Sequence, residues 1–120
     1  MEKIVDVFIK DLPLLNIASS GRASRFAEGK EKKKWQQLIQ VHTKKPRAPH
    51  GVAAVFLRRC TTQEPDYDNL VISFKYVIDA IVKRGILEDD RPKNFRYGHP
   101  EYKWIKSSKA NQGVSIEIWV

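Results

Sequence analysis

Cysteine occurs once in this chain of 120 residues, at position 60. A lone thiol excludes an intrachain disulfide and fits a reducing, cytoplasmic setting. No apolar run approaches the roughly 18 residues that a membrane-spanning helix needs. Residues 1–10 mix Glu, Lys and Asp into an alternating apolar pattern, which speaks against a secretory signal peptide there. Neither an internal repeat nor a low-complexity tract is present, so a repeat architecture is excluded. Negative charge is also scarce. Asp and Glu number 14 against 22 Lys and Arg, for a net charge of +8.

What is present is ordinary for a globular chain: 42% hydrophobic and 30% charged residues. The length predicts one domain over 1–120. Ile4–Ile9 alternates and predicts a strand that Asp11-Leu12-Pro13 ends. The segment from Asn16 to Arg25 reads as a basic loop, and Ala27–His42 as a helix with Trp35, Leu38 and Ile39 on one side. Val52–Leu57, a continuous apolar run, predicts a buried central strand. A single long helix is expected over Asn69–Arg84, capped by Asp68 and ended by Gly85 in a Schellman-type turn. Tyr102–Ser107 and Val114–Val120 read as a closing hairpin around Asn111-Gln112-Gly113. The expected fold is therefore α/β in the α+β sense. A mixed sheet of about four strands carries two main helices in the order β-α-β-α-β-β.

The scarce acids are not spread evenly. Seven of the 14 fall between Glu64 and Asp90. Crowded carboxylates repel one another unless something offsets the repulsion, and a hard divalent cation does so with oxygen ligands. Asp66 and Asp68, two apart, share a side if the segment is extended. Glu88, Asp89 and Asp90 lie just beyond the helix C-terminus, where negative charge is unfavourable unless the loop folds elsewhere or binds a cation, and a third acid is expected from Asp90 or Asp89. Lys75 and Asp79 fall on the face of the helix opposite its apolar arc, where an i,i+4 ion pair is the plain structural expectation. Reach is a difficulty. Such a helix is about 24 Å long, and the following loop spans at most about 20 Å. Asp90 meets Asp66 and Asp68 in its own subunit only if the loop folds back; otherwise a partner subunit supplies it.

The surplus of Lys and Arg points to a nucleic-acid partner. Arg22, Arg25, Lys33, Lys44, Lys45, Arg58 and Arg59 are the candidates for holding a phosphate backbone. A solvated basic surface is the plain alternative.

The run "DYDNL" followed by "FKYVIDAIVKRGILEDD" resembles the RusA family of Holliday junction resolvases. The likeness extends to "DLPLLN", to "FAEGKEKKKW" and to the closing "VSIEIWV", and so covers nearly the whole chain. It implies a homodimeric, Mg²⁺- or Mn²⁺-dependent endonuclease of branched DNA, with Asp66, Asp68 and Asp90 as metal ligands and Lys75 as a catalytic residue. One departure stands out. The family lysine lies four residues after the second Asp of the motif, where this chain has Ile72, and Lys75 comes three residues later. A non-catalytic basic DNA-binding module is the alternative reading.

Overall fold

Alternation in the first strand decides which way the sheet faces. In the computed structural model, residues 1–10 and 22–120 are described, the side chains of 22–27 excepted. Strand β1 (Lys3–Lys10) turns Val5 and Ile9 inward and Asp6, Phe8 and Lys10 outward. The remaining elements are α1 (Arg22–His42), β2 (Ala54–Thr61), α2 (Tyr67–Ser73), α3 (Lys75–Lys83), β3 (Glu101–Lys106) and β4 (Gly113–Trp119). The architecture is α+β, a mixed four-stranded sheet in the order β1-β4-β2-β3.

Inward residues of three strands form one apolar layer: Val5 and Ile9, Val55 and Leu57, Val114, Ile116 and Ile118. Trp35 and Ile39 of α1 and Val77 and Ile81 of α3 close over it. Fully burying such a side chain stabilises by roughly 1.5–3 kcal/mol. No helix among the described residues covers the opposite face of the sheet. That face carries Phe8, 51% exposed, and the Arg58–Glu117 pair at 3.5 Å.

Three expectations need correction. First, β3 and β4 form no hairpin. β4 runs antiparallel between β1 and β2, and β3 pairs parallel with β2 at the edge. β4 buries Val114, Ile116 and Ile118 and so belongs in the middle. β3 carries Glu101, Lys103 and Lys106, charges that an edge strand tolerates and that discourage further pairing. Second, α1 already includes Arg22–Arg25, since Arg and Ala favour a helix. The expected turn at Pro13 and the Ser19-Ser20-Gly21 segment lie outside the described residues.

Third, the helix after Asp66 is broken in two. Phe74 separates α2 from α3 with φ −89° and ψ 1°. Its N–H reaches back only three residues, to the Val71 carbonyl at 3.2 Å, while Ile78 N–H resumes the ladder on Phe74 O at 3.0 Å. Ser73 explains the bend. Its hydroxyl donates to the Leu70 carbonyl at 2.8 Å, the kind of back-bonding that bends helices. The break leaves the Phe74 ring fully buried, 6.0 Å from the Tyr102 ring of β3.

The far end of α3 closes as expected. Gly85 N–H donates to Val82 O at 2.9 Å and Ile86 N–H to Ile81 O at 3.3 Å, the two bonds of a Schellman cap, with Ile86 buried behind them. Gly85 has φ +86°, and a Cβ there would meet no atom within 4 Å. Gly85→Ala should therefore lower stability by about 1–2 kcal/mol through backbone conformation alone. Gly85→Asn should lose less, because Asn tolerates this region better. Urea unfolding of the two variants measures the difference, and equal losses would mean that crowding rather than conformation decides the position.

Candidate functional site

The acidic segment begins where β2 ends. Thr61 is buried, accepts a bond from Trp104 Nε1 at 2.9 Å and donates to Gln63 O at 2.9 Å, which turns the chain out of the sheet. Asp66 then takes the N-cap position of α2. Its carbonyl accepts from Leu70 N–H at 2.9 Å, and its side chain makes no capping bond. The expected cap, Asp68, is instead inside the first turn. There its charge is favourable beside the helix N-terminus. Asp66 itself is extended, with φ −59° and ψ 151°, and the helical turn begins after it, so the pair does not lie in one continuous extended segment. Both carboxylates are exposed.

Asp90 returns toward these residues within its own chain. Past the Schellman cap, Leu87 bridges to His50 and Phe95 to Ala53, so residues 88–94 are held at both ends. Inside this loop Asp89 and Asn94 form a clamp. The Asp89 carboxylate accepts from Arg91 N–H at 2.9 Å and from the Asn94 amide, which also donates to Asp89 O at 3.2 Å. Asn94 is 3% exposed. Asp89 is thus occupied by the loop's own bonds, whereas Asp90 is exposed and makes no hydrogen bond or ion pair among the described residues.

The loop sets Asp90 against the junction of α2 and α3. A cleft of about 320 Å³ is lined there by Ile72, Lys75, Asp79, Asp90, Phe95 and Tyr102, among others. Burial pushes the Tyr102 phenol above its ordinary pKa, and the neighbouring Tyr67 and Asp90 add to the shift. Tyr102 is therefore close to both the Asp66–Asp68 turn and Asp90. Lys75 makes no ion pair with Asp79, contrary to the plain expectation for an i,i+4 pair. Its ammonium is 5.9 Å from the Tyr76 ring centroid. Lys75 and Asp79 both line the cleft, and Asp68 does not.

The donors suit a hard cation in kind. Asp66, Asp68 and Asp90 are exposed oxygen ligands, and none is engaged in an ion pair among the described residues. They are not gathered: among the described residues no three of His, Cys, Asp and Glu stand close enough together to hold one metal ion.

The basic candidates separate. Lys33 and Lys45 line a groove between α1 and α3, and Lys44 lies on the other side of the α1 C-terminus beside Pro46. Arg58 points to the uncovered sheet face, toward Glu117. Arg59 turns the other way, under α2, and donates to Ser73 Oγ at 3.3 Å. Burial lowers its pKa, and its Nε has no partner among the described residues. The side chains of Arg22 and Arg25 lie outside the described residues. His99 Nδ1 is 2.7 Å from Pro100 O, and Cys60 is a buried free thiol.

Sequence reasoning missed Asn94 and Tyr102. Asp89-Arg91-Pro92 carried a usable signal, since an Asp two residues before a backbone N–H forms an Asx turn and Pro92 favours a helical start. No protein-family model and no curated protein sequence matches this chain.

The clamp yields a thermodynamic expectation. Asn94→Ala and Asp89→Ala should each lower stability by about 1–3 kcal/mol, because each strands a polar partner. The double variant should lose clearly less than the sum. A double-mutant cycle by urea unfolding measures the coupling, and additivity would show that the two side chains do not share the bond.

Proposed function

We propose that this chain is a RusA-like, metal-dependent endonuclease that hydrolyses a phosphodiester of branched DNA, four-way junctions being the preferred substrate. The observation that supports this most is the return of the clamped loop, which brings Asp90 to one cleft with Lys75 beside the helix that starts at Asp66. In this reading Asp66, Asp68 and Asp90 are the ligands of Mg²⁺ or Mn²⁺. The ion, once bound, supplies Lewis acidity and a hydroxide nucleophile at neutral pH. Three carboxylates that repel one another move together when a cation offsets their charge.

The chain's own residues do the rest. Lys75 carries no ion pair among the described residues, and its ammonium can meet a phosphate oxygen. Asp89 and Asn94 hold the loop, so that Asp90 is presented without having to order the backbone on binding. A four-way junction has near two-fold symmetry, and a two-fold homodimer matches it with paired sites. A cytoplasmic setting fits the buried free Cys60. No helix among the described residues is long and apolar enough to cross a membrane.

A second reading is a basic DNA-binding module without catalysis. The dispersal of the acids in the single chain favours it. Metal-dependent incision of a synthetic junction separates the two.

Asp68→Asn and Asp90→Asn should each abolish incision and leave junction affinity within about threefold, since phosphate contacts come from Lys and Arg elsewhere. Incision and gel-shift assays on the same junction check this. Full activity in either variant would remove that residue from the site.

Lys75→Ala should reduce incision by about 10²-fold or more. Its melting temperature should change little, because Lys75 has no ion pair among the described residues to lose, only the distant Tyr76 ring contact. Loss of stability with retained activity would assign Lys75 to structure.

A further inference from the structure

The groove between α1 and α3 is a concave basic surface. Its volume is about 360 Å³, and its cations are Lys33, Lys45, Lys83 and Arg84, with no carboxylate among the lining residues. None of the four is in an ion pair among the described residues, whereas Lys34, on the same helix, pairs with Glu31 at 2.9 Å. Gln36, Gln37 and Gln40 complete the α1 side. With Lys33 they follow the i, i+3, i+4, i+7 spacing of one helix face, so three neutral amides and a cation form a stripe of donors. A solvated helix face usually mixes both signs. This one lacks acids over two turns.

The groove is built rather than incidental. Ala80, a small residue of α3, lies between the lysines at its floor. Arg84 is anchored across it, donating to Thr43 O just beyond α1 at 2.8 Å, while its buried Nε has no partner among the described residues. Lys83 is oriented by a 3.3 Å bond to Gln36 Oε1. The groove also leads somewhere. Gln36 and Lys83 line the next depression as well, together with Asp79 and Asp90, and these two acids line the cleft of Lys75 in turn. A continuous track runs along α3 from four cations to the free carboxylates. From Lys75 to Arg84 it covers roughly 14 Å, the length of a short run of backbone phosphates.

We propose that this groove seats the phosphodiester backbone of one DNA strand as it runs away from Asp90. The inference rests on DNA being the ligand of the proposed active site, and adds Lys83, Arg84 and the glutamine stripe to the binding surface. Contacts of this kind are made to phosphates and carry no base readout.

The test compares two triple variants with equal charge loss: Lys33→Gln, Lys45→Gln and Lys83→Gln in the groove, and Lys10→Gln, Lys103→Gln and Lys109→Gln away from it. All six lysines are exposed, and the melting temperature checks that each variant folds. Anisotropy of a labelled four-way junction is titrated in EDTA at several salt concentrations, so binding is read without cleavage. The groove variant should bind about tenfold or more weakly at 0.1 M salt, and its salt slope should fall by about 2–3, close to 0.9 per lost contact. The control variant should keep the wild-type slope. Equal losses in both variants would reduce the effect to net charge and overturn the proposal, as would undiminished binding by the groove variant or equal retention of polyglutamate by the wild type. Groove-dependent binding by a wild type that never cuts DNA with Mg²⁺ or Mn²⁺ would uphold the groove and reject the endonuclease.

Discussion

Burial of one face of the sheet under two helices is the constraint on which the rest of this structure depends. The inward residues of β1, β2 and β4 are aliphatic, and α1 and α3 must present Trp35, Ile39, Val77 and Ile81 to them. Once those positions are committed, the outward faces of both helices are set too. Lys33 and the glutamines of α1 and Lys83 of α3 then stand beside the same groove. The basic surface is thus a by-product of packing geometry in its placement, though not in its composition.

The same packing explains the broken helix. Leu70 and Phe74 are buried together with Val77 and Ile81, and the break at Ser73–Phe74 divides α2, which packs against β3, from α3, which packs against α1. The break falls immediately before Lys75, so the chain changes direction there and does not continue as one straight helix. Ile72 and Lys75 consequently border one cleft from opposite sides of the break.

Charge is organised by distance from that break. The acids near the cleft and the cations near the α1–α3 groove meet in the depression between them, where Lys83 stands beside Asp79 and Asp90, within a chain of net charge +8. Neighbouring acids also differ in role. Asp89 spends its acceptors on Arg91 N–H and Asn94, while Asp90, one residue on, keeps its own.

Much was legible in the sequence because it rests on local periodicity and on glycine chemistry. The alternation of β1, the apolar run leading into β2, the apolar stripe of α1 and the Gly85-Ile86 cap are all encoded within a few residues of where they act. The acidic segment and the basic excess were legible too, since they are facts of composition. Only the tertiary structure decided strand order. β4 seeks the centre because its inward residues must be covered on both sides, a condition set by β1 and β2 far away in the chain. Only it decided that the 88–94 loop folds back, because the Leu87–His50 and Phe95–Ala53 bridges join segments more than 30 residues apart. Sequence proximity made Asp89 and Asp90 look interchangeable. A buried amide from Asn94 separates them, because a carboxylate that satisfies a buried donor is no longer free to bind anything else.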